Sequence, residues 1–407
     1  MTAANGSGMT GGVGGPRVGV VAEQLFAPVP GGIGRYVRAL VRHLEPRAAV
    51  AGGAVRWVVA RHTAEEVVAA HLPQAGTRRL ALPGRLTTRA WVELRRPRLP
   101  ADLLDELDLV HATSAAVPPA RGRPLVATVH DVAFRHFPEA YPRGGRRFHE
   151  RATWIAVREA ARVLVPSAAT ARDLADLYGL EPDRVTVTPL AAEPPPGPLD
   201  LVPARRLLER LGVRGPFLLG VGTLEPRKNL ARLLAAFAEA SAELPEHHLV
   251  VVGPSGWGKS LPLGKSGAPG NSGAPGDGRG PGASRAPVRA VLAGPVDEIT
   301  LQGLYAIADG LAYPSLYEGF GLPVLEAMAH GTPVLTSDRS SLPEVAGDAA
   351  LLVDPVEVSA IAKGLVELVG DGELRERLAA AGPRRAAAFS WPATAAATWA
   401  AYQEVLR

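Results

Sequence analysis

The sequence contains no cysteine. Disulfide cross-links and thiolate metal sites are therefore excluded. Aromatic residues make up only 5% of the chain. No basic stripe is interleaved with them, so a nucleic-acid partner is not expected. No run approaches the roughly 20 apolar residues that a membrane-spanning helix requires. The opening residues, MTAANGSGMTGGVGGPR, lack a basic start followed by an apolar stretch. They read as a flexible tail, residues 1–16, rather than a signal peptide, and a soluble, cytoplasmic protein is expected. Neither a tight Asp-x-Asp nor a pair of histidines at metal-ligand spacing is present, so no metal site is expected. Lysine is scarce as well: Lys228 is the first in the chain, and every earlier cation is arginine.

What is present fits a globular protein. The 407 residues, 47% hydrophobic and 21% charged, can fill two or three domain cores. The net charge of +4 is uneven: residues 1–195 carry 25 Arg against 18 Asp and Glu. The richest stretch is Arg85 to Arg98, RLTTRAWVELRRPR. A solvated arginine-rich surface is the plainer account of it. Attraction to an anionic membrane face or to a phosphorylated acceptor is the alternative.

Short apolar runs alternate with helical periodicity along the whole chain. Arg17 to Glu23 fits a buried strand, and Pro28 to Gly34 is a glycine loop ahead of a helical segment. Two runs, ending at His111 and at His130-Asp131, resemble strands that finish in polar residues at a sheet's carboxyl edge. His111 is given a structural role. Residues 191–200, AAEPPPGPLD, form a proline-rich linker between residues 17–190 and 201–390. Gly253 to Ser260 satisfies a P-loop pattern, but glycine, proline and serine follow where a P-loop needs a helix. Residues 258–287 are read instead as a disordered insertion.

The richest stretch is Tyr313 to Val345, YPSLYEGFGLPVLEAMAHGTPVLTSDRSSLPEV. A strand ends at Tyr313, a glycine loop follows, a helix starts near Leu322, and a second strand begins at Pro333. Unpaired N–H groups at that helix start suit phosphate. Gly319 and Gly321 carry no Cβ and let a ligand approach the backbone. Glu318 and Glu326 stand at two depths along one ligand, and carboxylates accept hydrogen bonds from vicinal hydroxyls. Upstream, Arg227 and Lys228 lie on a loop after a strand, where they could neutralise a diphosphate.

Glu318 and Glu326, with seven residues between them, together with Gly-Phe-Gly and Pro343-Glu344-Val345, resemble the signature of retaining GT-B glycosyltransferases of family 4. So do Glu225-Pro-Arg227-Lys228-Asn229, His130-Asp131 and the early glycine loop. The resemblance implies an α/β protein of two doubly wound, Rossmann-like parallel sheets facing a central cleft, with residues 391–407 returning to the amino-terminal domain. It implies a retaining hexosyl transfer from a nucleoside diphosphate sugar, mannosyltransferase-like and weighted toward a GDP-sugar, to a glycan, lipid or small-molecule acceptor. No cofactor and no metal are implied. The implied catalytic group is His130, Glu318, Arg227 and Lys228. Donor binding is assigned to Gly31, Gly32, Gly34, Gly294, Val296, Gly319, Phe320, Gly321, Leu322 and Glu326. The alternatives are a sugar-nucleotide epimerase, a pyridoxal-phosphate phosphorylase on the same fold, a P-loop NTPase and a non-catalytic binding module.

Overall fold

A computed structural model describes residues 15–28, 31–193, 197–254 and 289–407. The expectations for the tail (apart from Gly15 and Pro16), for the three consecutive prolines of the linker and for the insertion with Lys259 lie outside those residues.

Among the described residues thirteen strands form two sheets. The first contains β1 (Arg17–Val21), β2 (Ala54–Val59), β3 (Thr77–Arg79), β4 (Leu109–Ala112), β5 (Leu125–Thr128), β6 (Arg162–Val165) and β7 (Val185–Val187), in the order β3-β2-β1-β4-β5-β6-β7. The second contains β8 (Phe217–Val221), β9 (His248–Val252), β10 (Ala290–Gly294), β11 (Gly310–Tyr313), β12 (Val334–Ser337) and β13 (Leu351–Val353), in the order β10-β9-β8-β11-β12-β13. Neighbouring strands run parallel, as in β1 with β4 and β8 with β11. Parallel strands need crossovers, and helices supply them. Those that matter below are α1 (Gly31–Val50), α2 (Gly84–Leu94), α3 (Arg143–Glu159), α4 (Ala168–Tyr178), α5 (Leu230–Ala240), α6 (Glu298–Ile307), α7 (Leu322–Ala329), α8 (Val358–Gly370) and α9 (Trp391–Val405). Among the described residues no helix is long and apolar enough to cross a membrane.

The apolar spacing explains the layers. In α5, Leu230, Leu233, Phe237 and Ala240 are buried, and in α8, Ile361, Leu365 and Leu368. These are single helical faces. They join Leu218 of β8, Ala312 of β11 and Leu335 of β12 in one core. Strands β4, β5, β11 and β12 are buried at every position, as expected where helices cover both sides of a sheet.

By contact the chain groups into two compact units. One holds Met1–Thr128, Glu159–Arg162 and Ala395–Arg407; the other holds Val129–Arg158 and Val163–Thr394. The first unit contains a buried polar chain. His111, fully buried, meets the Tyr402 hydroxyl through Nδ1 at 2.7 Å and Thr128 Oγ1 through Nε2 at 2.8 Å. Thr128 in turn meets the Tyr36 hydroxyl at 3.0 Å. His111 is thus a structural histidine that joins α9 to the sheet.

One local expectation is corrected here. Gly31, Gly32 and Gly34 belong to the first turn of α1 and not to a loop before it. The first residues of a helix have no intrahelical acceptor for their N–H groups, so weak helix formers cost less there than in the interior.

Candidate active site

In the second sheet, strand order reverses between β8 and β11, its topological switch point. The crevice beyond the carboxyl ends of such neighbours is where open α/β sheets take ligands. The loop after β8 carries Glu225, Arg227 and Lys228, and the loop after β11 carries Glu318. The fold therefore brings together side chains about 90 residues apart in sequence.

They converge on one carboxylate. Lys228 Nζ lies 2.6 Å from Glu318 Oε1, and Arg227 Nη1 lies 2.8 Å from Oε2. The Tyr313 hydroxyl donates to Oε1 at 2.8 Å, and Lys228 Nζ is 2.6 Å from that hydroxyl. The Arg227 Nη2 group is paired with Glu225 at 2.7 Å. Two cations and two carboxylates therefore balance in one cluster, in which Glu318 is buried and the other three are partly so. Burial raises the Glu318 carboxyl, but Lys228 and Arg227 outweigh it and hold the group down at about 2. Burial pushes Lys228 below the ordinary lysine range; Arg227 adds to that and Glu318 opposes it. Arg227 is also opposed by burial, yet Glu318, Asp131 and Glu225 raise it well above its ordinary value.

The Glu318 backbone is fixed too. Ser340 Oγ donates to the Glu318 carbonyl at 2.6 Å, and Ser341 Oγ reaches both that carbonyl and that of Phe320, at 2.9 and 2.8 Å. The Gly319 carbonyl accepts from Ser167 Oγ at 2.7 Å and from Thr170 Oγ1 at 3.3 Å, at the start of α4. A Cβ on Gly319 would stand 2.0 Å from the His130 carbonyl oxygen. Gly321 has φ of +106°, in the left-handed region. Both glycines are thus demanded by the protein's own packing and turn, where the sequence had suggested room for a ligand. Phe320 is buried and meets Phe389 edge-on at 5.7 Å, so only its backbone can face a ligand.

Glu326 lies in α7, 5% exposed. The Tyr305 hydroxyl, from α6, donates to its Oε2 at 2.9 Å. Tyr305 is itself fully buried; its carbonyl accepts from Thr332 Oγ1 at 2.6 Å, and His330 stacks on its ring at 5.7 Å. Leu322, buried, opens α7. Gly294 ends β10 with φ of +72°, and Val296 is half-buried just before Asp297, which caps α6 through the Thr300 N–H at 2.8 Å. Gly31, Gly32 and Gly34 lie in the other compact unit.

Sequence reasoning missed Tyr313, Tyr305, Ser340, Ser341 and Glu225 as parts of the site, and also Asn229. Asn229 adopts φ of +60°, and its amide donates to the Pro314 and Pro355 carbonyls at 3.0 and 2.6 Å. Glu225 and Asn229 were signalled only as flanking members of the Glu225–Asn229 motif, and Ser340 and Ser341 only as a polar run between β12 and Leu342.

Residues 215–371 match the family model described as glycosyl transferases group 1, and residues 30–194 match that of glycosyltransferase family 4. O-antigen chain mannosyltransferase B of Escherichia coli is 33% identical over 291 residues, covering 70% of this chain and 71% of that protein. MMP alpha-(1->4)-mannosyltransferase of Mycolicibacterium hassiacum is 30% identical over 337 residues, covering 77% and 74%. Among solved structures, Anabaena Alr3699/HepE in complex with UDP and glucose superimposes with a TM-score of 0.66 over 96% of this chain and 100% of its own. At 19% identity that is a likeness of fold.

Proposed function

Given that the chain belongs to glycosyltransferase family 4, the glycosyl transferases of group 1, with the two parallel Rossmann-like sheets of a GT-B enzyme, we propose that it moves a hexose from a nucleoside diphosphate sugar to a hydroxyl acceptor with retention at the anomeric carbon. A GDP-mannose-like donor is favoured, because two of its relatives are named mannosyltransferases. The acceptor is a glycan, a lipid-linked group or a small molecule. A cytoplasmic location with contact at an anionic membrane face belongs to the same reading.

The observation that carries the proposal is the convergence of Arg227 and Lys228 on the two oxygens of one carboxylate. Cations so placed can also converge on the oxygens of a diphosphate, whose charge grows as its bond to the sugar breaks. Glu326, held by Tyr305, accepts from the ribose hydroxyls. Glu318 and the N–H groups at the start of α7 hold sugar hydroxyls, and His130 positions the sugar. None of these groups is placed as a covalent nucleophile. The acceptor oxygen therefore bonds to the anomeric carbon on the face from which the diphosphate oxygen departs, and its proton passes to that departing oxygen. Glu225 and Glu318 keep the four-group cluster near neutral, so the released diphosphate does not face two bare cations.

A panel of GDP-, UDP- and dTDP-hexoses tests this reading. Release of nucleoside diphosphate from one donor class is expected, with an α-donor giving an α-linked product by NMR. A folded protein that turns over none of them, or one that gives an inverted product, would defeat the proposal.

A further inference from the structure

We propose that Tyr313 is a positioning residue of the transfer: its hydroxyl holds Glu318 in place while Lys228 exchanges that carboxylate for the diphosphate of the donor. The inference rests on the transferase reading above and gives a task to a side chain that the reading leaves idle.

Three polar groups form a closed triangle. Lys228 Nζ donates to the Tyr313 hydroxyl and to Glu318 Oε1, each at 2.6 Å, and the same hydroxyl donates to Oε1 at 2.8 Å. The direction of the last bond follows from the groups themselves. An ammonium offers only donors and a carboxylate only acceptors, so the single proton of the phenol points at Glu318. Burial, and after it Glu318, push the phenol well above its ordinary value, and the proton stays where it is.

The two partners of Oε1 are mounted differently. Tyr313 is 3% exposed and closes β11 opposite Thr336 of β12. Thr336 Oγ1 donates to its carbonyl at 2.9 Å, and the amide of Asn229 donates to the next carbonyl, that of Pro314, at 3.0 Å. The hydroxyl therefore stands on a fixed strand end. The ammonium of Lys228 stands on a flexible four-carbon stem and can swing.

Glu318 and Lys228 each have a second task in the transfer, and the triangle cannot serve both as it stands. Oε1 already carries two donors, and Oε2 accepts from Arg227 at 2.8 Å. A sugar hydroxyl finds room on Oε1 if Lys228 leaves it for a phosphate oxygen. At that moment Tyr313 is the partner that stays. Without its hydroxyl, a buried carboxylate oxygen would lose its held donor just as the cation departs, and an uncompensated buried charge is costly. Phenylalanine isolates the point. It keeps the ring, and with it the contact of Lys228 Nζ at 5.0 Å from the ring centre, and removes only the oxygen.

The test compares the parent with Tyr313→Phe, Glu318→Gln and the double variant, in donor turnover and in calorimetric binding of GDP, UDP and dTDP. Loss of a hydrogen bond to a charged group should lower kcat/KM, and weaken whichever diphosphate binds, about ten- to a hundredfold. In the Glu318→Gln background the oxygen is neutral, and the same substitution should cost only about threefold. A tyrosine that merely packs would give equal losses in both backgrounds. In a crystal of the parent with the bound diphosphate, Lys228 should have left Glu318 for a phosphate oxygen while the Tyr313–Glu318 bond persists. That crystal needs no variant, so it decides the point even where Tyr313→Phe does not fold. The inference is overturned if Tyr313→Phe behaves like the parent, if the two losses multiply in the double variant, or if Lys228 remains on Glu318 in the crystal. Those results leave the transferase reading standing. A folded parent that binds none of the three diphosphates and turns over none of the corresponding hexose donors defeats that reading and the inference together.

Discussion

Lys228 shows how much one side chain can be asked to do. It lies on a loop, holds Glu318 and Tyr313 at 2.6 Å each, and is kept below its ordinary range by burial. In the reaction proposed above, its protonated form is the one that meets the diphosphate. That form is lost as pH rises through the lowered value, so the basic limb of kcat/KM should begin earlier than for an ordinary lysine. Lys228→Arg keeps a permanent charge and should move the limb upward in a pH–rate profile. Lys228→Ala should lower kcat about a hundred- to a thousandfold, whereas Lys259→Ala leaves it unchanged. Glu318 works in the opposite direction. Its carboxyl is depressed to about 2, so what it adds to stability is complete above the ordinary 4.5 and is lost as pH falls toward 2. A second residue-scale expectation concerns Tyr305. Tyr305→Phe removes one hydrogen bond to a carboxylate and should raise KM for the donor about tenfold, with a smaller change in kcat. The penalty for a donor lacking a ribose hydroxyl should shrink in the same variant. An undiminished penalty would show that Tyr305 only fills space.

At the scale of elements, β11, the loop after it and α7 were legible because each local cue agreed. An apolar strand ends at Tyr313, Gly321 precedes the helix, Pro323 falls in its first turn, and Gly331 follows its end. The start of α1 was misplaced because three glycines argue against a helix when propensity alone is weighed. The partners of the Glu318 loop were illegible for another reason. Ser340, Ser341, Ser167 and Thr170 reach backbone carbonyls up to 152 residues away, and a hydroxyl donating to a carbonyl leaves no periodic trace in sequence. The loop should be intolerant of small changes. Gly319→Ala places a methyl against the His130 carbonyl and should cost about 1–3 kcal/mol in thermal or denaturant unfolding, with turnover reduced.

At the scale of the molecule, two parallel sheets with the same type of strand order were foreseeable from alternating strand and helix patterns. The first sheet ends at Val187 and the second begins at Phe217, either side of the proline-rich residues, while the compact units divide the chain at Thr128 and Val129 instead. Charge was less legible, because arginine is spread through the first half of the sequence and only folding sorts the paired residues from the exposed ones. Among the described residues no cluster of three or more potential metal ligands occurs. Full turnover after exhaustive EDTA treatment is expected, and activity restored only by a divalent ion would oppose the leaving-group role given to Arg227 and Lys228.

The clamp on Gly319, with two hydroxyls on its carbonyl and a neighbouring peptide against its α-carbon, also bears on protein engineering. Libraries that randomise residues 318–321 to change sugar preference would return mostly misfolded clones. Effort to retune the enzyme belongs instead on half-buried positions such as Val296.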